Sequence, residues 1–192
     1  AGTNVEWLRD DLGIIDSVAA SHDIAQQCVD TEGVVYVPAL LGLGTPNWDY
    51  GARGTLLGIT RGTARPHIVR AVLEGVAQRG ADLVDAAEAT TSLTIPSLRI
   101  DGGMSANPTF TQALADATQR TVEISPVLEA TTLGAAFLAG LSVGTWGGLN
   151  DIAATWRPLR TVEPSGPANR ERWASAIERS SGWHADLSTF DF

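Results

Sequence analysis

The run Leu98-Arg99-Ile100-Asp101-Gly102-Gly103-Met104-Ser105-Ala106-Asn107-Pro108 carries the clearest chemical potential in this chain. A short apolar strand ends in two glycines, and a helix begins within four residues. Asn107 suits the cap of that helix and Pro108 its first position, while Phe110, Ala113, Leu114 and Ala117 recur on one face. Glycine has no Cβ to hold a ligand away, and a helix N-terminus presents free backbone N–H groups. Strand, glycine pair and helix start together therefore admit a flat or anionic ligand to bare backbone. A nucleotide is the first candidate. The same residues also serve a plain chain reversal, with Gly102-Gly103 forming only a tight turn.

Other reactive side chains are sparse. Asp49, Asp101 and Asp116 are candidates for a general base, but they read equally as a turn cap, a strand-end turn and a helix face. His22, His67 and His184 are scattered without metal-ligand spacing. Cys28 stands alone, which excludes an internal disulfide or a cysteine metal site and suits a reducing cytoplasm with a structural thiol. All 13 basic residues are arginine, so the chain holds no P-loop lysine, Schiff-base lysine or lysine base. A net charge of -9 argues against nucleic-acid binding, which needs a concentrated basic surface. If the ligand is a phosphate-bearing nucleotide, its charge must then be met by helix N-termini, backbone N–H groups and Mg2+ rather than by a basic patch. No window approaches the roughly 18 apolar residues of a membrane span, and no secretory signal opens the chain. With a helix-like segment so close to Ala1, the chain reads as a piece lacking its natural start.

The elements that must position these residues alternate. Periodicity predicts helices over 4–12, 19–27, 65–88, 108–119, 128–143 and 169–180, and strands over 33–41, 54–60, 97–100 and 121–125. Residues 42–53 read as a loop anchored by Trp48, and Glu163-Pro164-Ser165-Gly166-Pro167 as a linker. The β-α-β-α order after residue 97 predicts a parallel strand pair in an α/β layer. The small and apolar residues from Thr131 to Gly140 suit a helix wedged against a sheet.

Gly54-x-Leu56-x-Gly58-Ile59, followed after seven residues by His67-Ile68-x-x-Ala71-Val72-Leu73-Glu74, resembles the second signature of the FGGY carbohydrate kinases. Gly42-Leu43-Gly44-Thr45-Pro46-x-Trp48-Asp49 and Ala52-Arg53-Gly54 resemble the glycerol kinase branch more than the xylulokinases. Asp101-Gly102-Gly103-Met104-x-Ala106-Asn107, Thr131-Thr132-Leu133-Gly134-Ala135-Ala136 and Trp7-Leu8-Arg9-Asp10 extend the likeness from Gly2 to about Trp183.

The resemblance implies an α/β fold of the ribonuclease H-like, actin-like ATPase type: the C-terminal half of a two-domain kinase, spanning 1–192 with its first strands missing. It implies ATP or ADP with Mg2+, glycerol or a related polyol as substrate, an N-terminal kinase domain as partner, and a homo-oligomeric, cytoplasmic parent. It puts Gly2, Gly102, Gly103, Met104 and Asn107 at the nucleotide. Met104 is either a soft wall near the base or a core methionine. Glu6 stands where the family has a glutamine, and a carboxylate cannot donate the hydrogen bond that an amide can. The family's catalytic aspartate, polyol contacts and phosphate loops match nothing here, so no catalytic residue is expected within this chain. Another sugar kinase of the family, and a non-catalytic nucleotide-binding or structural remnant, are the alternative readings. Apolar surface is expected to lie exposed where absent strands would pair.

Overall fold

One long helix organises the molecule. In the computed structural model, which describes residues 1–185, the chain opens with α1 (Gly2–Asp10) and α2 (Ala20–Ala25). The strands β1 (Val35–Val37) and β2 (Thr55–Leu57) follow, then α3 (Arg65–Thr91). Pro66 sits in the first turn of α3, His67 Nδ1 accepts from the Ala64 N–H at 2.9 Å, and Ser92 in left-handed backbone (φ 56°) ends the helix. His67 is thus a structural cap. Val69, Val72, Leu73 and Val76 recur at helical spacing and form the buried stripe of α3. At Gly75 the helix meets β1 backbone to backbone, because a Cβ there would overlap the Tyr36 carbonyl oxygen.

The second half of the chain supplies β3 (Ser97–Ile100), α4 (Pro108–Thr118), β4 (Thr121–Ile124), α5 (Ala130–Ser142), α6 (Leu149–Ala153), β5 (Arg160–Val162) and α7 (Arg170–Ser180). β3 and β4 are parallel, Ser97 opposite Thr121 and Ile100 opposite Ile124, as the β-α-β order requires. β5 adds antiparallel to β4, giving the order β3-β4-β5 with β3 at an edge among the described residues. Val5 and Leu8 of α1, Ile24 of α2, Tyr36, the α3 stripe, and Phe110 and Leu114 of α4 form the main core. Tyr36 ties α1 to β1: its ring stacks on Trp7 at 5.9 Å and its hydroxyl donates to Asn4 Oδ1 at 2.8 Å.

A smaller second core joins Val37, Ala39, Leu43 and Ala52 to Trp173, Ala176 and Ile177 of α7. A charged clamp holds α7 there. Arg170 donates to Asp82 at 2.6 Å and to Asp85 at 3.0 Å, and Trp173 Nε1 donates to Asp82 at 3.0 Å.

Several expectations are corrected. β1 and β2 are three residues each, shorter than the apolar runs, because Pro38 stops one and the positive-φ Gly58 the other. Trp48 is 62% exposed at a left-handed turn (φ 51°), so it does not anchor its loop. Buried Leu43 does, together with Asp49, whose Oδ1 accepts from the Gly51 and Ala52 N–H groups at 2.9 Å. The 163–167 segment is not free: Asp116 on α4 accepts from the Ser165 N–H at 2.6 Å. The helix expected over 128–143 forms, but none of α5 is buried, so it is not wedged against the sheet. Its contacts run instead to Trp146, edge-on to Phe137 at 5.7 Å and against Gly140. Leu138 on this helix is 67% exposed. No described helix is long and apolar enough to cross a membrane.

Candidate nucleotide-binding turn

The carboxyl ends of β3 and β4 lie side by side, and each strand leads into a helix N-terminus. Ser125 N–H donates to Ile100 O at 2.8 Å, and Asp101 Oδ2 accepts from the Ala130 N–H at 3.2 Å, which couples the end of β3 to the start of α5. Gly102 then turns the chain at φ 80°, a conformation that side chains other than glycine rarely adopt. Its N–H donates to Leu128 O at 3.2 Å, while its carbonyl accepts from the Ser105 N–H at 3.0 Å and hydroxyl at 2.7 Å. A single 3-10 turn over Gly103–Ala106 follows.

Gly103 is different from Gly102. Its φ lies outside the left-handed region, it is exposed, and a Cβ built on it meets no atom within 4 Å. Nothing inside the chain requires a glycine there. What a side chain would remove is the open space in front of the backbone. Met104 lies beneath the turn, 8% exposed in the main core with Phe110 and Leu114, so of its two readings the core methionine is the one observed.

Asn107 does two structural jobs at once. Its Oδ1 caps α4 by accepting from the Phe110 N–H at 3.1 Å, as its position before Pro108 foretells. Its Nδ2 donates to Ser21 Oγ at 2.9 Å, and Ser21 in turn donates to Val18 O at 2.6 Å. Alongside, Thr109 Oγ1 meets His22 Nδ1 at 2.8 Å and Gln26 Nε2 at 3.1 Å. Side chains of α2 therefore hold the amino end of α4, and with it the glycine turn. Ser21 and Thr109 were not legible as positioning residues, since nothing local marks a contact spanning more than 80 positions in the chain.

Gly2 and Glu6 lie on α1, Gly2 half-buried with open space at its Cβ position and Glu6 exposed. Val5 and Leu8 of α1 share the main core with Met104, but no hydrogen bond joins Gly2 or Glu6 to the turn among the described residues. The three candidate bases are all structural ligands of backbone N–H groups: Asp49 also accepts from Gly182 at 2.8 Å, Asp101 from Ala130 and Asp116 from Ser165. No cluster of three His, Cys, Asp or Glu side chains placed to hold a metal occurs among the described residues. Burial pushes the Cys28 thiol up, away from the reactive thiolate.

A parallel strand pair whose carboxyl ends lead through an open glycine turn into helices defines an α/β protein. The pattern of the FGGY family of carbohydrate kinases, C-terminal domain, matches residues 1–143, and the chain belongs to that family. It is 46% identical over 188 residues to a glycerol kinase of Rhodopirellula baltica, covering 95% of this chain and 35% of that protein. Among solved structures it is similar to Plasmodium falciparum glycerol kinase with ADP, with a TM-score of 0.82 and 35% identity over 93% of this chain and 37% of the other. It is also similar to the xylulose kinase from Rhodospirillum rubrum, with a TM-score of 0.72 and 25% identity over 93% of this chain and 36% of that one. The chain thus spans little more than a third of the length of these relatives.

Proposed function

We propose that this chain is the nucleotide-side wall of an ATP-dependent glycerol kinase, which transfers the γ-phosphoryl group of ATP to a glycerol hydroxyl and yields glycerol 3-phosphate. The observation that carries this reading is the exposed backbone of Gly103, glycine without an internal reason, at the carboxyl end of β3. The adenine ring would lie against Gly102 and Gly103, with the Met104 side chain as packing beneath and Asn107 keeping the turn in place. Gly2 is the further contact proposed from α1. Glu6 would accept a hydrogen bond only, so it serves no phosphate. Bound ATP with Mg2+ supplies the phosphoryl group and its charge neutralisation. The residues of this chain bind and orient the nucleoside end. The polyol contacts and the base belong to the N-terminal domain of a cytoplasmic, homo-oligomeric parent, and phosphoryl transfer then rests on positioning as the domains close. Exposed α5 and the edge strand β3 suit burial against other parts of that parent.

Higher identity to the glycerol kinases than to the xylulose kinase favours glycerol over a pentulose. The test is Gly103→Val in the full-length kinase. Because no atom lies within 4 Å of the added Cβ, the fold should be spared. KM for ATP is expected to rise tenfold or more with KM for glycerol little changed, in an assay that also compares glycerol with xylulose, ribulose and gluconate. An unchanged KM for ATP removes the turn from the site, and a pentulose preferred tenfold in kcat/KM moves the assignment to another FGGY sugar kinase.

A further inference from the structure

The second core carries an open groove of about 540 Å³ on its outer side. Val35 and Leu57 of the β1–β2 hairpin and Ala176 of α7 give it an apolar lining, and Arg172, Ser175 and Arg179 line it from α7. Arg172 and Arg179 are seven residues apart, two helical turns, and so share one face of α7. Both are exposed.

In a chain of net charge -9, acidic side chains outnumber the 13 arginines, and six of those arginines are committed to carboxylates. Arg9, Arg70, Arg79, Arg99, Arg120 and Arg170 each meet a carboxylate within 3.1 Å. Among the described residues the Arg172 side chain makes no hydrogen bond or ion pair, and Arg179 donates only to Ser175. Two unneutralised guanidinium groups over one apolar lining, in a strongly acidic protein, form a place where an anion is stabilised and a carbon skeleton is desolvated. A guanidinium offers a planar fork of donors that matches phosphate oxygens in pairs. The two arginines start about 11 Å apart along the helix axis, and their long side chains can close on one phosphate from opposite ends. Glu171, also on the lining, is the carboxylate that opposes such a ligand.

We propose that this groove binds a small organic phosphate monoester, with its phosphate between Arg172 and Arg179 and its carbon skeleton on Val35, Leu57 and Ala176. The site is built on β1, β2 and α7, and uses none of the residues of the glycine turn.

The test is a titration of the 15N-labelled chain with phenyl phosphate, inorganic phosphate and phenol, followed by the backbone resonances of Gly33, Gly58 and Ser175 on the groove and of Gly102 and Gly103 on the turn. Phenyl phosphate should shift the groove resonances saturably and bind more tightly than either inorganic phosphate or phenol. Arg172→Gln and Arg179→Gln should each weaken it about tenfold, the loss of one charge-assisted hydrogen bond, while Glu171→Gln should strengthen it. Arg157→Gln, which removes an equal charge outside the groove, should leave it unchanged. Both arginines are exposed, so the folded spectrum should survive their replacement. Equal weakening by Arg157→Gln, binding of phenol as tight as phenyl phosphate, or shifts confined to Gly102 and Gly103 would overturn the assignment.

Discussion

Replacing Asn107 by Ala should unsettle the fold before it touches the ligand. The side chain is 9% exposed and holds two partners, the Phe110 N–H and the Ser21 hydroxyl. Losing a helix cap costs about 1 kcal/mol. Leaving buried partners unsatisfied adds about 1–3 kcal/mol, although Ser21 keeps its own bond to Val18 O. The sum is about 2–4 kcal/mol. For a chain of 192 residues each kcal/mol lowers Tm by about 2–4 °C, so a fall on the order of 5–15 °C is expected. Asn107→Asp separates the two bonds. Aspartate caps well and its charge suits a helix N-terminus, but it cannot donate to Ser21, so its Tm should lie between wild type and Ala. Thermal and urea unfolding of the three proteins measure this directly. An Ala variant that melts with wild type, or an Asp variant no better than Ala, refutes the two-bond account. In the full-length kinase the same pair of variants tests the proposed nucleotide site. One lost ligand hydrogen bond weakens ATP binding about 2- to 13-fold, and an Asp variant with wild-type ATP affinity would show that Asn107 acts only by holding the turn.

Asp82 is the hub of the α3–α7 clamp, with its side chain 11% exposed between Arg79, Arg170 and Trp173. Asp82→Ala leaves these donors facing an empty place and should cost about 3 kcal/mol, read as a lower urea midpoint; an unchanged midpoint would show that the second core holds α7 unaided. Glu88 accepts from the Ile95 N–H and pairs with Arg120 at 2.7 Å, and these bonds, the backbone one first, hold its carboxyl below the usual glutamate range. With the folded value lowered, the stabilisation is present above the unfolded pKa and is lost as pH falls through the folded one. Glu88→Gln should therefore be less stable than wild type at pH 7, with the gap closing in acid below about pH 4; a gap independent of pH would mean that packing, not charge, carries the effect.

Local chemistry made much of this legible. The β3–α4 unit follows from an apolar run, two glycines and Asn107-Pro108, all within eleven residues, and the parallel pairing of β3 with β4 follows from their separation by a helix. Non-local partners were not legible. β5 is only Arg160–Val162 and exists because Val162 and Arg160 pair with Val122 and Ile124. Likewise Asn107 read as a cap, while its bond to Ser21 depends on α2 folding back across α4.

The same distinction between what a segment favours and what surrounds it explains α5. Its thirteen residues contain Leu133, Phe137, Leu138 and Leu141, and composition alone marks a helix that favours an apolar neighbour. Such side chains gain about 1.5–3 kcal/mol each on full burial, yet none of α5 is buried here. Two hydrogen bonds tie its start to the glycine turn, from the Ala130 N–H to Asp101 and from the Gly102 N–H to Leu128 O. If α5 is buried in the full-length kinase, as proposed above, whatever covers that helix also bears on the conformation of Gly102.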